Sequence, residues 1–205
     1  MSKYFLLVTE LNVESGKEAS VAKQLIAALG KSSDYCVLQS VEAGSVVVIE
    51  KIAAGLDFEK ISKIDSRVIA KVSGDLSGDV NREILEYVEA AKASENFTPK
   101  TKYVQLRHIE VKPSLMQEYL NWRQDTIFQV VKESPEVEEF TAYHSLVSTT
   151  PGVMFVSGFS EDPEKYQAVF TSPRYQDIVK QAGQKFICGG ADGLYTKTYL
   201  NLSAA

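Results

Sequence analysis

The alternation of apolar and polar residues at the start of the chain predicts a β-strand. In KYFLLVTELNV, residues 3–13, the odd-numbered side chains from Phe5 to Val13 share one face and the even-numbered side chains share the other. Two β-branched runs farther on, YCVLQSV and SVVVIEKI, predict a hairpin turned by EAG. The first fifty residues therefore contain three predicted strands.

Between the first two of these strands the pattern changes to helical spacing. In ESGKEASVAKQLIAALG, Ser15 and Glu18 predict a capping box, in which each side chain bonds a free amide of the first helical turn. Val21 and Leu25 lie on one face, and Gly30 predicts the helix end. The order so far is strand, helix, strand, strand.

The second half of the chain repeats this order. KYVQLRHIEV predicts a strand, and KPSLMQEYLNWRQDTIFQVVKE predicts one long helix with a capping box between Ser114 and Gln117. EEFTAYHSLVS and GVMFVSGFS predict a second hairpin. Two helices then begin with proline at the first helical position, at Pro163 and Pro173, and LYTKTYLNL predicts a closing strand.

The end of the first half departs from the repeat. DLSGDVNREILEYVEAAK predicts a helix that has Val80, Ile84, Val88 and Ala91 on one face. On this interpretation the first half lacks a fourth strand before the polar linker NFTPK. The alternative is that RVIAKVSG, residues 67–74, supplies that strand.

This order predicts an α+β fold made of two tandem ferredoxin-like βαββαβ units, over residues 1–94 and 102–205, joined by a linker at 95–101. Each unit would form an antiparallel sheet in the order 4-1-3-2 with helices on one face. Since the bare face of each sheet must be covered, we expect the two sheets to pack face to face as a pseudo-dimeric α+β barrel, with a cavity between them.

Charge and composition narrow the class of partner. The net charge is −5 and no run of basic residues occurs, so we expect no nucleic-acid partner.

Thr9 and Glu10 interrupt the first apolar run before it could form a signal peptide or a membrane span, so a cytoplasmic protein is the default. Cys36 and Cys188 form no CxxC pair, and we expect two reduced thiols and no metal site.

The first strand of the second unit holds the strongest candidate for a ligand site. Tyr103, Gln105 and Arg107 form a polar row on the face opposite Val104 and Leu106. We expect this row to line the cavity, where Arg107 would bind an anionic ligand or polarise a carbonyl group. The competing interpretation is an arginine in a salt bridge between the sheets or on an exposed sheet face.

The two histidines are the candidate acid–base groups. His108 lies on the face opposite Arg107, so it is structural if the Arg107 face lines the cavity and a cavity base if the register is reversed. His144 lies on the next strand of the unit, about 10 Å from His108 by strand spacing, so a shared metal is not expected. No cofactor is predicted, although haem on a single axial histidine stays open.

Aromatic and glycine-rich segments are weaker candidates. Tyr143 faces away from His144 and is a possible ligand contact. With Tyr119 and Trp122 it could frame an aromatic pocket, although the i, i+3 spacing of those two residues favours a packed core or an interface. CGGADG precedes a strand and not a helix, so we interpret it as a loop and not a phosphate cradle.

The segment YVQLRHIEVKPSLMQEYL resembles the dimeric α+β barrel superfamily. Leu106–Arg107 and Val111–Pro113 match the opening of NIPSNAP-like proteins, Ser114 replaces a usual glycine, and Tyr103 stands one place early. EDPEKYQAVFTSPRYQDIV is similar to the second helical region of such domains, including EthD-like proteins and antibiotic-biosynthesis monooxygenases. The resemblance extends over residues 102–202 and more weakly over 3–53.

This resemblance implies two alternative functions. One is a small-molecule enzyme, with cofactor-independent oxygenase-like chemistry on an aromatic or polyketide-like compound, for which Arg107, His108 and His144 are the candidate catalytic residues and Tyr103, Gln105, Arg107 and Tyr143 the candidate ligand contacts. The other is a non-enzymatic NIPSNAP-like protein that binds a ligand or supports assembly. A homodimer beyond the intrachain pseudo-dimer is possible in either case.

Overall fold

The computed structural model describes residues 4–30, 32–42, 44–52, 59, 62, 68–148 and 152–204. The first half contains β1 (Phe5–Val13), α1 (Glu18–Leu29), β2 (Tyr35–Ser40), β3 (Ser45–Ile52), a short α2 (Ala70–Val72) and β4 (Leu76–Lys92). The second half contains β5 (Tyr103–Ile109), α3 (Met116–Asp125), α4 (Ile127–Glu133), β6 (Glu139–Val147), β7 (Val153–Phe159), α5 (Pro163–Thr171), α6 (Pro173–Lys185) and β8 (Leu194–Asn201).

The eight strands form one closed antiparallel barrel in the order β1-β3-β2-β8-β5-β7-β6-β4. Within it, each half keeps the order 4-1-3-2 that the sequence predicts. The halves join where β2 pairs with β8 and where β4 pairs with β6. Closure satisfies the edge of every sheet, and the α+β pseudo-dimeric barrel is confirmed. The division at residues 95–101 stays a prediction.

The structure corrects the prediction for the end of the first unit. Residues 76–92 form the long strand β4, and residues 68–75 contain only a helical turn and a 3-10 turn, so both alternatives were wrong. β4 pairs with β1 along its first part and with β6 along its second part. Bulges between Ile84 and Leu85, and again between Tyr87 and Glu89, shift the register, which removes the two-residue alternation that marks a strand in sequence.

Several helix ends also differ from the predictions. Neither predicted capping box forms: α1 has no side-chain cap, and the Glu18 carboxylate accepts a hydrogen bond from the Gly44 amide at 2.8 Å. The single helix predicted after Lys112 is divided at Thr126, whose hydroxyl donates to the Trp122 carbonyl at 2.7 Å. The predicted starts at Pro163 and Pro173 are confirmed.

The barrel interior is packed with side chains from both units. An eight-stranded barrel is just wide enough for side chains to fill it. The interior face is buried and largely aliphatic, formed by Leu6, Val8, Cys36, Leu38, Val47, Ile49, Leu85, Val104, Leu106, Tyr143, Met154, Val156 and Tyr199. The helices cover the outer faces: α1 packs on the first unit, and α3 to α6 pack on the second.

Candidate ligand site

A cavity of about 180 Å³ lies between the outer face of the second sheet and the helices that cover it. Its walls come from β5, α3, α4, α5, α6 and β8, and are formed by Arg107, Ile109, Tyr119, Ile127, Gln167, Phe170, Thr171, Tyr175, Gln176, Ile178, Val179, Ala182, Ile187, Leu194 and Thr196. An apolar cavity of about 150 Å³ accommodates benzene, so this volume suits a compound of one or two rings.

Arg107 is the charged group of this cavity. It is 8% exposed, and no carboxylate in the described part of the chain pairs with it. Its guanidinium donates to the Tyr175 hydroxyl and, at 3.1 Å, to Gln105 Oε1. Its guanidinium carbon lies 4.5 Å from the centre of the Phe170 ring. A buried cation held by neutral groups keeps its charge available to an anionic ligand.

Gln105 fixes the orientation of Arg107. The Gln105 amide donates to Thr198 Oγ1 at 3.3 Å, and its carbonyl oxygen faces Arg107 on one side and the Tyr166 hydroxyl, at 3.2 Å, on the other. Burial raises the pKa of Tyr166 to about 12, against the opposing effect of Arg107, so this phenol remains a neutral donor. The polar row of β5 is thus locked by a hydrogen-bond network beneath α5.

Tyr119 belongs to the wall of the same cavity. The residue is fully buried, and its hydroxyl makes no well-directed hydrogen bond within the described residues, although the Arg123 side chain lies close to it. Burial raises the pKa of Tyr119, while the nearby Arg123 and Arg107 guanidinium groups oppose that rise. A buried hydroxyl without a well-directed partner costs stability.

The guanidinium group of Arg123 lies next to the ring of Tyr119. It is 0% exposed, and its Nε donates to Glu89 Oε1 at 2.6 Å. The guanidinium carbon lies 5.5 Å from the centres of the Tyr119 and Phe128 rings. Because Glu89 belongs to β4 of the first unit, this ion pair also ties the helices of the second unit to the long strand of the first.

The structure shows which face of β5 points into the barrel, and it is the face opposite the one we expected. Arg107 faces outward beneath α5 and α6, so the polar row does not line a space between the sheets. The competing interpretations also fail, because Arg107 is neither in a salt bridge between the sheets nor on an exposed face. His108 faces the interior, where its Nε2 lies 3.3 Å from Glu83 and its ring stacks on Tyr195 at 4.5 Å.

The surroundings of His108 follow the internal repeat. Glu10 occupies the position of β1 that matches His108 in β5, and it pairs with Lys197 at 2.7 Å, as His108 pairs with Glu83. The space beside these two pairs is about 30 Å³, which holds about two water molecules and no organic substrate. A catalytic role for His108 therefore stays a prediction without a substrate-sized cavity beside it.

Of the other predicted residues, Tyr119 belongs to the cavity wall, and His144, Tyr143, Trp122 and Tyr103 do not. His144 faces the opposite side of the barrel wall from His108; burial, and then Arg123, lower its pKa. Tyr143 lies in the interior, 3.1 Å from the Tyr4 hydroxyl, and does not meet Tyr119 or Trp122. Tyr119 and Trp122 pack with Phe186, as the core interpretation predicts. Tyr103 stacks on Phe159 with a centroid distance of 5.2 Å.

The sequence pattern does not single out Tyr175 and Phe170, and it groups Tyr119 with Trp122 and Tyr143 instead of with Arg107. Tyr175 and Phe170 flank the break between α5 and α6, and both rings approach Arg107. The polar row of β5 was the sequence feature that could have indicated them. A buried arginine on the helix-covered face of a strand requires polar or aromatic partners from the helices.

The cavity does not fit a histidine-held haem. Neither histidine lines it, and among the described residues no group of three or more histidine, cysteine, aspartate or glutamate side chains could hold a metal ion. Both cysteines are free, with Cys36 buried in the barrel. Among the described helices, none is long and apolar enough to cross a membrane.

Comparisons with known proteins agree with this architecture. The sequence matches no protein-family model, and a search of curated proteins finds no significant match. An anthrone oxidase-like protein aligns with a TM-score of 0.70 at 12% identity, covering 98% of this chain and 92% of that chain. A haem-degrading enzyme from Listeria monocytogenes aligns with a TM-score of 0.58 at 10% identity, covering 96% and 98%.

A further match is an uncharacterised ferredoxin-fold protein from Listeria monocytogenes that is related to antibiotic biosynthesis monooxygenases. It aligns with a TM-score of 0.53 at 10% identity and covers 95% of this chain and 94% of that chain. Identities this low show a shared fold and leave activity to the site. The matches therefore show that this chain shares the fold of these proteins, one of which is a ferredoxin-fold relative of the antibiotic biosynthesis monooxygenases.

Proposed function

We propose that the cavity of the second unit binds a one- or two-ring phenolic or enolisable compound and promotes its oxidation by O₂. The observation that carries this proposal is a buried, carboxylate-free Arg107 that donates to the hydroxyl of Tyr175, with both residues in the wall of the cavity. Together they offer a cation and a hydroxyl group to a ligand whose rings contact Phe170, Ile178 and other apolar walls.

Arg107 would act by stabilising an oxyanion. No histidine or carboxylate lines the cavity within the described residues, so the chemistry would rest on making the substrate more acidic and not on a strong general base. A buried guanidinium favours the enolate or phenolate form of the ligand, which is the electron-rich form that reacts with O₂. The anthrone oxidase-like neighbour supports this reaction class.

The reaction balances without an added reductant. The phenolic hydroxyl loses its hydrogen, and the carbon para to it loses its single hydrogen and becomes a carbonyl carbon. One oxygen atom of O₂ enters that carbonyl, and the other leaves with the two hydrogens as water. The organic compound supplies the four electrons that O₂ accepts.

Oxygen consumption with 1-naphthol tests the proposal, with 1,4-naphthoquinone as the expected product. We expect turnover by the unmodified chain and a loss of at least about tenfold in Arg107→Gln, since a charge-assisted hydrogen bond is worth about 1.5–3 kcal/mol. Thr9→Val is the matched control, because Thr9 occupies the position of Arg107 in the first unit. Turnover that is unaffected in Arg107→Gln would remove this cavity as the active site.

A second function is favoured by the same lack of an acid–base pair. A non-enzymatic ligand-binding protein needs only the cation, the hydroxyl and the apolar walls of the cavity. Saturable binding of 1-naphthol that depends on Arg107, without oxygen consumption, would support this function and contradict the oxidase.

A further inference from the structure

A second, larger cavity of about 320 Å³ lies at the other end of the barrel from Glu10 and His108. Its walls come from the residue before β1, the second half of β4, the segment that joins the two units, and β6: Tyr4, Tyr87, Ala90, Ala93, Ser94, Glu95, Asn96, Phe97 and Thr141. Cavities of about 300 Å³ or more accommodate drug-sized ligands. The joining segment therefore closes a ligand-sized space in addition to connecting the units.

Three aromatic rings form one side of this cavity. Tyr4 and Tyr87 stack with centroids 4.9 Å apart, and Phe97 meets Tyr4 edge to face at 5.0 Å. Buried Tyr143 holds this arrangement in place, because its hydroxyl lies 3.1 Å from that of Tyr4 and its ring lies 6.2 Å from both tyrosine rings. The negative faces of such rings attract cations.

The polar groups of the cavity carry the complementary charge. Glu95 is part of the wall, and Ser94, also in the wall, donates at 3.0 Å to the carboxylate of Glu139 behind it. Among the described wall residues none is a lysine or arginine. The ammonium group of Lys51 lies 3.3 Å from the centre of the Phe97 ring, so one face of that ring is occupied by a cation and only its remaining surface is left for a ligand.

We propose that Tyr4, Tyr87, Phe97 and Glu95 form an aromatic cage that binds a small organic cation with a fully methylated, quaternary ammonium group. Such a cation has no N–H donors to satisfy and is weakly hydrated, so ring faces and one carboxylate replace its water shell well. A primary ammonium would need three hydrogen-bond acceptors at one point. An anion would meet the carboxylates of Glu95 and Glu139.

Calorimetric titration of the full chain with choline tests the cage. The reference ligand is 3,3-dimethyl-1-butanol, which has the shape of choline without its charge. We expect saturable choline binding, and binding of the neutral compound that is weaker by about tenfold or more. Tyr87→Leu should weaken choline binding by about tenfold, Tyr87→Phe should preserve it, and Glu95→Gln should weaken it by about threefold or more.

Two controls separate the cage from the rest of the molecule. Tyr195→Leu removes a ring at the other end of the barrel, and Arg107→Gln alters the cavity beneath α5; both should leave choline affinity unchanged. Thermal unfolding of each variant establishes that it is folded. Choline that does not bind, choline that binds no better than its neutral analogue, or a folded Tyr87→Leu variant with full affinity would each overturn the proposal.

Discussion

The two halves of the barrel share one topology but differ in what their helices enclose. In the first unit, α1 packs on the sheet through aliphatic side chains, with Val21, Ala22 and Leu25 against Leu11 and Val46. In the second unit, the helices contribute aromatic rings and the buried Arg123, β5 contributes the buried Arg107, and these elements surround an open cavity. At the position where the second unit carries Arg107, the first unit carries Thr9.

Among the described residues, this difference shows how two copies of one fold can be filled differently beneath their helices. Branched aliphatic side chains interdigitate and fill the space beneath a helix, whereas rigid rings linked by hydrogen bonds hold their positions around a space that they do not fill. The interior that both halves share is packed, and the proposed ligand site lies on an outer face. The long β4 of the first unit supplies Glu89 to the second unit.

Deletion of core volume should affect the two units unequally. Leu25 is fully buried beneath α1, so Leu25→Ala should lower the free energy of unfolding by about 3–4 kcal/mol. Ile178 lines the cavity and already lacks neighbours on one side, so Ile178→Ala should cost about 1.5 kcal/mol. Urea denaturation measures both values. Equal costs would mean that the space beneath α6 is as well packed as that beneath α1.

Replacement of Arg123 tests how much its ion pair with Glu89, which joins the two units, contributes to stability. Arg123→Met should lower the free energy of unfolding by about 3 kcal/mol, because Glu89 then lacks its buried partner. The matched control is Arg174→Met, which breaks the exposed pair with Glu133 and should cost less than about 1 kcal/mol. Urea denaturation again supplies the comparison, and a similar cost for both variants would contradict a structural role for Arg123.

Two tyrosine-to-phenylalanine changes should have opposite signs. Tyr175→Phe removes a hydroxyl that accepts a hydrogen bond from Arg107 and should cost about 1 kcal/mol. Tyr119→Phe removes a buried hydroxyl without a partner, so the free energy of unfolding should stay the same or rise by about 1 kcal/mol. Thermal denaturation distinguishes the two, and a large loss for Tyr119→Phe would show that its hydroxyl is already satisfied.

The smallest expected effect is a pH dependence from His144. Burial and then Arg123 lower its pKa in the folded chain below the unfolded value of 6.5. The unfolded chain therefore takes up a proton first as pH falls, so this contribution to stability is complete above pH 6.5 and is lost as pH decreases toward the folded pKa. Unfolding of the unmodified chain should be more sensitive to a shift from pH 8 to pH 5 than unfolding of His144→Gln. Equal sensitivity would exclude this contribution.

The sequence predicts the architecture better than the site. The order of strands and helices predicts two sheets, and the need to cover the bare face of each sheet predicts the barrel. It misses β4 because bulges at Leu85 and Glu89 disrupt the alternation, and because NREILEYVEAAK has the residues of a helix, whose preference the pairing with β1 and β6 overrides. The local sequence pattern carries no information about that pairing.

The sequence identifies Arg107 and Gln105 as candidate site residues, but it does not show whether they face the interior or the exterior of the barrel. The strand has polar and apolar faces that are both buried, so alternation alone does not say which faces the interior. Tyr175, Phe170 and Tyr119 come from three separate helices, and only their packing brings them to Arg107. The roles of His108, His144, Tyr103 and Tyr143 stay predictions.

The most direct test is the affinity of 1-naphthol for the unmodified chain, Arg107→Gln and Thr9→Val, measured by calorimetric titration. These two substitutions occupy equivalent positions of the two units. A site in the second unit alone predicts a loss of at least about tenfold for Arg107→Gln and unchanged affinity for Thr9→Val. Equal affinity in all three proteins, or a loss confined to Thr9→Val, would contradict it.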